Sequence, residues 1–384
     1  MRVLFVTLGT LGDLTPLVAL AEGLQKRGHE CSFVVPRILA KYLRGRAFKV
    51  TSFGSDSPED IERLRSELAL SVERARAPDE RLKRAWLVEL EAAVHAAIED
   101  GQVLVRSNHV PGQAIERSVA ETRVPQIVVC ASDPEYLPVA PEAQSSAAAY
   151  DACLYPFSPA VLQREKFWPS NHHVTGFLFA EEKPFEAAGM LAEFLDDGPA
   201  PLVVSFGSMV HDDPKRVSRL IFEAASELGS RVVLQRGWSG LVDERPSSDC
   251  CCVGYVPHAW LFRRASCVVH HGGAGTTAAA LRAGVPSVLV PHAFDQFAIS
   301  RRMLGHGLAR SVIPFQNLSV DALVGALILT CGDVDLQRAL TLVAAQLERE
   351  SGVDTACGVI EQVIERRKVG SVGQLPSGHQ HTVR

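Results

Sequence analysis

Short, uninterrupted apolar runs alternate along this chain with segments in which apolar residues recur every three to four positions. The first run, residues 3–7, is apolar up to its closing Thr7, the near-continuous pattern of a strand buried on both faces. A loop follows, Leu8-Gly9-Thr10-Leu11-Gly12-Asp13-Leu14. Thr15 is then placed to cap a helix with Pro16 at its first position, and Leu17, Leu20, Ala21 and Leu24 share one face of it. Gly28 stops that helix, and residues 31–35 form the next strand. Residues 58–100 read as helical and rich in Arg and Glu, with further strands at 102–105 and 126–130.

The second half repeats the alternation. Strands are expected at 201–205, 231–235, 267–270 and 287–290, with helices at 214–228 and 275–283, the latter stopped by Gly284-Val285-Pro286. Strands separated by helices in both halves predict an α/β protein of two doubly wound, Rossmann-like domains facing each other across a cleft. The expected boundaries are 1–182, a linker over 183–200 where Gly and Pro cluster, 201–354, a last helix over 355–368, and a disordered Gly, Ser and His rich tail over 369–384. In such folds ligands sit at the C-terminal ends of the strands.

Composition narrows the classes. With 384 residues and 47% hydrophobic content, the chain can bury two cores. A formal charge of −5 is not the basic footprint of a nucleic-acid binder. No apolar run reaches the length of a membrane span, and the first residues are too short for a signal peptide. Nine cysteines, an odd number without C-x-x-C spacing, suit free thiols in a reducing cytoplasm.

The densest chemistry is Val268-Val269-His270-His271-Gly272-Gly273-Ala274-Gly275-Thr276-Thr277, followed by Pro291-His292-Ala293-Phe294-Asp295-Gln296. A strand that runs through glycines into a helix start offers unpaired N–H groups and a positive dipole end to an anion. Asp295 and Gln296 then offer acceptors and a donor at the end of the next strand, as hydroxyl recognition requires. A phosphate cradle beside such a pair fits a nucleotide sugar.

Taken together these motifs resemble the inverting nucleotide-sugar glycosyltransferases of the UDP-glycosyltransferase type, which have the GT-B fold, and within them the bacterial natural-product and sterol branch. The resemblance implies that His271 contacts the pyrophosphate, with Gly273, Ala274, Gly275 and Thr276 around it. It puts Tyr255 and Val256 of Tyr255-Val256-Pro257-His258 against the base, with His258 beside them, and Asp295 and Gln296 on the sugar hydroxyls. Ser208, in Ser205-Phe206-Gly207-Ser208, and Trp238, in Gln235-Arg236-Gly237-Trp238, complete the donor side. Many members carry a ribose-binding glutamate where this chain has Ala279, which leaves UDP and dTDP both open. Asp13 falls in the slot of the catalytic base. A carboxylate of ordinary pKa, about 3.9, is a weak base for an alcohol, so it would act late in the displacement or be raised by burial. The acceptor is expected near Thr10, Leu11, His109 and His292. The implied reaction is transfer of a hexose from a UDP- or dTDP-sugar to a hydroxyl of an apolar small molecule, with no metal and no other cofactor. A nucleotide-sugar 2-epimerase and a non-catalytic helper on the same fold are the alternatives; Asp13 with Asp295-Gln296 favours transfer.

Plainer roles stand beside these. His270 reads as structural. Asn108 and His109 follow a strand, where an ordinary loop role is the plainer reading. Asp333-Val334-Asp335 has the form of a metal motif but sits where a helix is capped. His172, His173, His379 and His381 read as solvated. The run Cys250 to Cys252 suggests no chemistry.

Overall fold

The computed structural model describes residues 1–60, 80–99, 102–132, 150–181, 184–187, 189–242, 248–293 and 295–372. It contains two all-parallel sheets. The first has seven strands: β1 (Arg2–Val6), β2 (Glu30–Pro36), β3 (Lys49–Phe53), β4 (Gln102–Ser107), β5 (Gln126–Val129), β6 (Ala152–Tyr155) and β7 (His172–Val174), in the order β3-β2-β1-β4-β5-β6-β7. The second has β8 (Leu202–Ser205), β9 (Val232–Gln235), β10 (Cys250–Val253), β11 (Cys267–His270) and β12 (Ser287–Leu289), in the order β10-β9-β8-β11-β12. The architecture is α/β and doubly wound in both halves. Each sheet has a point where the strand order reverses, between β1 and β4 and between β8 and β11, and the crevice of a doubly wound sheet opens there.

Most of the expected elements are present, and the departures have local causes. The first helix spans Leu11–Lys26, one turn earlier than expected. Thr10 caps it: the Thr10 side chain accepts from Gly12 N–H, and the Asp13 carboxylate reaches back to Thr10 N–H. This capping box recovers two orphan N–H groups, which outweighs the ladder bond lost at Pro16 inside the helix. Cys250 to Cys252 form most of edge strand β10, with Cys250 and Cys251 buried and Cys252 half-buried. His172 is not solvated. It is 2% exposed, hydrogen-bonded to the hydroxyls of Tyr150 and Tyr155, and flanked by Trp168. Strands β3, β6, β7 and β10 escape the sequence reading: β3 is half exposed, and the other three are only three or four residues long. Within residues 58–100 the described helical residues are 58–60 and Glu80–Ala97; residues 61–79 lie outside the described set. So do residues 373–384, which include His379 and His381; the last helix, Gly352–Val372, already runs past the start of the expected tail.

That last helix follows the second sheet in sequence but docks on the first half. Ala356, Cys357, Ile360, Val363 and Ile364 join the core built on β1, β2 and β4. The helix lies against Leu11–Lys26 at Gly23, where any β-carbon would strike Val353. Arg27 seals the contact through Asp354 and Glu361, both at 2.8 Å. A further apolar cluster mixes Tyr155, Phe157 and Phe177 with Ala278, Leu281, Ile299 and Leu340, so the halves share packed interior. The helix Leu11–Lys26 also touches the helix Ala274–Ala283, which brings the two switch points together. Among the described residues no helix is long and apolar enough to cross a membrane.

Candidate active site

On the second sheet the site begins where β11 ends. His270 is fully buried; its Nδ1 accepts from Gly272 N–H at 3.1 Å, and burial holds its pKa well below the ordinary range. It is a structural, neutral residue that shapes the loop. His271 is 7% exposed, its ring lodged between Gly207 and Gly273. A β-carbon at Gly207, whose φ is +60°, would sit 2.8 Å from the His271 ring, and one at Gly273 would strike its Nε2. The two glycines therefore set where this imidazole can lie. The helix Ala274–Ala283 starts immediately after, with Gly273 as an N-cap that offers no side-chain acceptor. The first turn thus keeps its outward N–H groups for an anion. Gly275 leaves open space above that turn, and Thr276 is packed beneath it. Ala274 packs on the shared apolar cluster.

A buried polar knot ties the neighbouring strand ends. Gln235 Oε1 receives Ser205 Oγ at 2.9 Å and His258 Nε2 at 2.8 Å, and Gln235 Nε2 donates to the Val256 carbonyl at 2.6 Å. Burial pushes the His258 pKa down to about 4, so this ring is a neutral strut rather than a charged donor contact. Val256 is buried; Tyr255 beside it is 71% exposed and available for stacking. Ser208 lies in the loop after β8, where Gly207 O accepts from Trp238 N–H at 2.9 Å. Trp238 reaches over to pack on the core of the first half.

Past β12, Gln296 is turned into its own loop. Its Oε1 accepts from the N–H groups of His292 and Ala293, and its Nε2 points at Met209 Sδ. Asp295 is the N-cap residue of the helix Gln296–Gly305 and is 9% exposed. His292 is committed too. Its Nδ1 lies 2.7 Å from Val290 O, its Nε2 lies 2.9 Å from His211 Nε2, and both rings stack with Phe315. Burial lowers both imidazoles, His211 to about 4.

On the first sheet the site lies at the β1/β4 reversal. Thr7 Oγ1 and Ser107 Oγ, 3.1 Å apart, join the two strand ends. Thr10 is 3% exposed and occupied as a cap, and Leu11 packs against the core. Asp13 is 4% exposed and bonds His109 Nδ1 through Oδ1 at 2.6 Å. The loop bearing His109 is pinned by the Arg106 guanidinium on Val110 O and by Asn108 on Ser132. Of the residues expected near an acceptor, His109 thus pairs with Asp13, while Thr10, Leu11 and His292 hold the frame. Two site residues go unnoticed in the sequence. Tyr42, after β2, faces Tyr255 across the cleft at 6.4 Å between ring centroids, and His211 backs His292. Only position at the C-terminal end of a strand could have singled out Tyr42.

Asp333 caps the helix Val334–Leu347 through Leu336 N–H and pairs with Arg310 at 2.6 Å, while Asp335 is held by Arg338. Among the described residues no three His, Cys, Asp or Glu side chains gather as metal ligands would.

The chain is similar to known proteins in both sequence and fold. Residues 220–364 match the family described as erythromycin biosynthesis protein CIII-like, C-terminal domain. Over 96% of its length the chain is 28% identical to the O-mycaminosyltylonolide 6-deoxyallosyltransferase of Streptomyces fradiae, of which it covers 98%. It is 34% identical to a sterol 3-beta-glucosyltransferase of Arabidopsis thaliana over 52% of its length, and spans about a third, 31%, of that longer protein. Among solved structures it resembles the glycotransferase of kitacinnamycin (TM-score 0.71, 18% identity, 94% of this chain and 98% of that one). It is equally close in fold to the calicheamicin glycosyltransferase CalG4 (TM-score 0.71, 17% identity, 95% and 98%). At these identities the structural likenesses establish the GT-B fold, and the sequence matches make the chain similar to natural-product and sterol glycosyltransferases.

Proposed function

We propose that the protein is an inverting glycosyltransferase that moves a hexose from a UDP- or dTDP-sugar to a hydroxyl of an apolar small molecule in the cytoplasm. The observation that carries this reading is the meeting of the two switch points. The Asp13–His109 pair opens from the first sheet, and the uncapped helix start with His271 opens from the second. The contact between Leu11–Lys26 and Ala274–Ala283 holds them on one cleft.

The chemistry follows from the parts. The nucleoside diphosphate leaves with the electron pair of the C1–O bond. The helix N-terminus and His271 meet the charge that develops on it, in a frame already set before reaction. The acceptor oxygen attacks from the opposite side, where the Asp13–His109 pair can take its proton, so C1 inverts. Tyr255 supplies an exposed ring for the base. The glycine-rich helix start does the work a cation would do for the diphosphate, so the proposal includes no metal.

The test is a binding and turnover screen. UDP and dTDP should raise the thermal midpoint and GDP should not, because a ligand of the native state stabilises it. Mass spectrometry should then find hexose on at least one polyketide or sterol acceptor, and the rate should survive exhaustive EDTA. Binding of neither nucleotide, or a strict and reversible magnesium requirement, would sink the reading.

A further inference from the structure

We propose that His109 is the catalytic base of the transfer, and that Asp13, the residue in the base slot of the sequence, is a positioning residue that acts through it. The proposal rests on the glycosyltransferase reading above.

The geometry divides the two roles. Asp13 is inside: its side chain is 4% exposed, against 21% for His109. Both Asp13 oxygens are engaged, Oδ2 with Thr10 N–H at 2.7 Å and Oδ1 with His109 Nδ1 at 2.6 Å. Gly9 closes over the carboxylate so tightly that a β-carbon there would overlap it. An acceptor hydroxyl meeting Asp13 directly would have to displace its helix-capping bond or its bond to the imidazole.

His109 is arranged the other way. A carboxylate can only accept, so Nδ1 carries the proton of the 2.6 Å bond and Nε2 carries the lone pair. Nε2 has no hydrogen-bond partner among the described residues. The backbone around it is fixed rather than loose: Asn108 N–H donates to Val129 O at 3.1 Å, Val110 N–H to Ser107 O at 3.1 Å, and the buried Arg106 guanidinium holds Val110 O at 2.8 Å. The result is an imidazole in the loop after β4 with one nitrogen oriented by a buried acid and the other left for a ligand, in a side chain that is 21% exposed. That is the arrangement a general base requires, with tautomer and direction set by the second group.

The step balances. The acceptor O–H proton passes to His109 Nε2 as the oxygen bonds to C1 of the hexose. The bond from C1 to the diphosphate oxygen breaks, and its electron pair leaves with the nucleoside diphosphate. The imidazolium formed keeps Nδ1–H on Asp13, and the proton passes from Nε2 to solvent when the product leaves.

The experiment uses the purified full chain with UDP-glucose and dTDP-glucose, and two acceptors. Cyclohexanol must lose a proton during attack; 4-nitrophenol, held at a pH where it is the phenolate, has already lost it. His109→Ala and His109→Gln are both made, the second conserving shape, and UDP affinity by calorimetry shows that the donor half is intact. We expect either variant to slow transfer to cyclohexanol by about 10²–10⁴-fold, with the donor KM unchanged, while transfer to the phenolate stays within about threefold. Added imidazole should restore part of the His109→Ala rate. Asp13→Asn should slow cyclohexanol transfer without such rescue, and the double variant should be no slower than the worse single one. The proposal is overturned if His109→Gln transfers to cyclohexanol at the normal rate while Asp13→Asn does not, which returns the base to Asp13. It is equally overturned if both acceptors slow alike. Failure of the unmodified protein to release nucleoside diphosphate with either donor and either acceptor would instead remove the transferase reading beneath it.

Discussion

Asp13 shows how a single side chain can serve structure and chemistry at once, because its two oxygens point different ways. The sequence shows an acid in a loop. It does not show that one oxygen caps a helix and the other holds an imidazole 96 positions away. That second partner comes from β4, and only the sheet order makes β4 a neighbour of β1. The pair is sensitive to its surroundings. Gly9→Ala should push the carboxylate off His109 and slow transfer about 10²-fold, the cost of misplacing a reacting group by about an ångström. UDP affinity should be unchanged, and steady-state kinetics beside calorimetry separates the two. His271→Ala should do the opposite to binding. Loss of one contact to a charged diphosphate should weaken UDP or dTDP by about 1.5–3 kcal/mol, read by calorimetry. An unaltered affinity would take His271 out of the donor site.

At the scale of elements, the long periodic segments were legible and the short ones were not. Strand β11 and the helix after it are readable because a fully apolar run ends in glycines and resumes with a helical period. Strand β7, three residues including a buried histidine, carries no such period; its stability comes from Tyr150, Tyr155 and Trp168 packed around His172. The donor loop was legible as a motif, but the inward turn of Gln296 was not, since it depends on Met209, 87 positions away in the loop after β8. Helix placement also depends on small residues that no period reveals. Gly352 begins the last helix, and a β-carbon there would run into the backbone of Gly176 and Phe177. Gly352→Ala should therefore cost about 1–3 kcal/mol of stability by overpacking, seen as a lower thermal midpoint. Retention of the native midpoint would show that the helix start can shift freely.

For the whole molecule, buried histidines set a limit on the working pH. Burial holds His211 and His258 near 4, against 6.5 for a solvated imidazole, and also lowers His270 and His292. These groups are neutral in the folded chain at pH values where the unfolded chain has already taken up protons. Stability is thus complete above about pH 6.5 and falls as the pH is lowered toward 4. Each such histidine contributes roughly 1.4 kcal/mol for every pH unit crossed. Thermal midpoints measured from pH 7 to pH 4 should drop steeply, and less steeply in His258→Gln. A flat profile would mean these rings take up protons in the folded state.

The docking of Gly352–Val372 on the first half has a further meaning for biosynthesis. Cys357 lies against Leu20 across 337 positions of sequence, and Glu361 bonds Arg27 across 334. At ribosomal rates of about 5–20 residues per second, the first core waits roughly 15–70 s between emergence of its opening helix and arrival of the helix that covers it. Throughout that interval the seam around Gly23 faces water, where chaperones can hold it. A chain stopped short of this helix keeps the second sheet and the whole glycine loop yet cannot close its first core. Such a product should be cleared as a misfolded protein rather than persist as a half-active one.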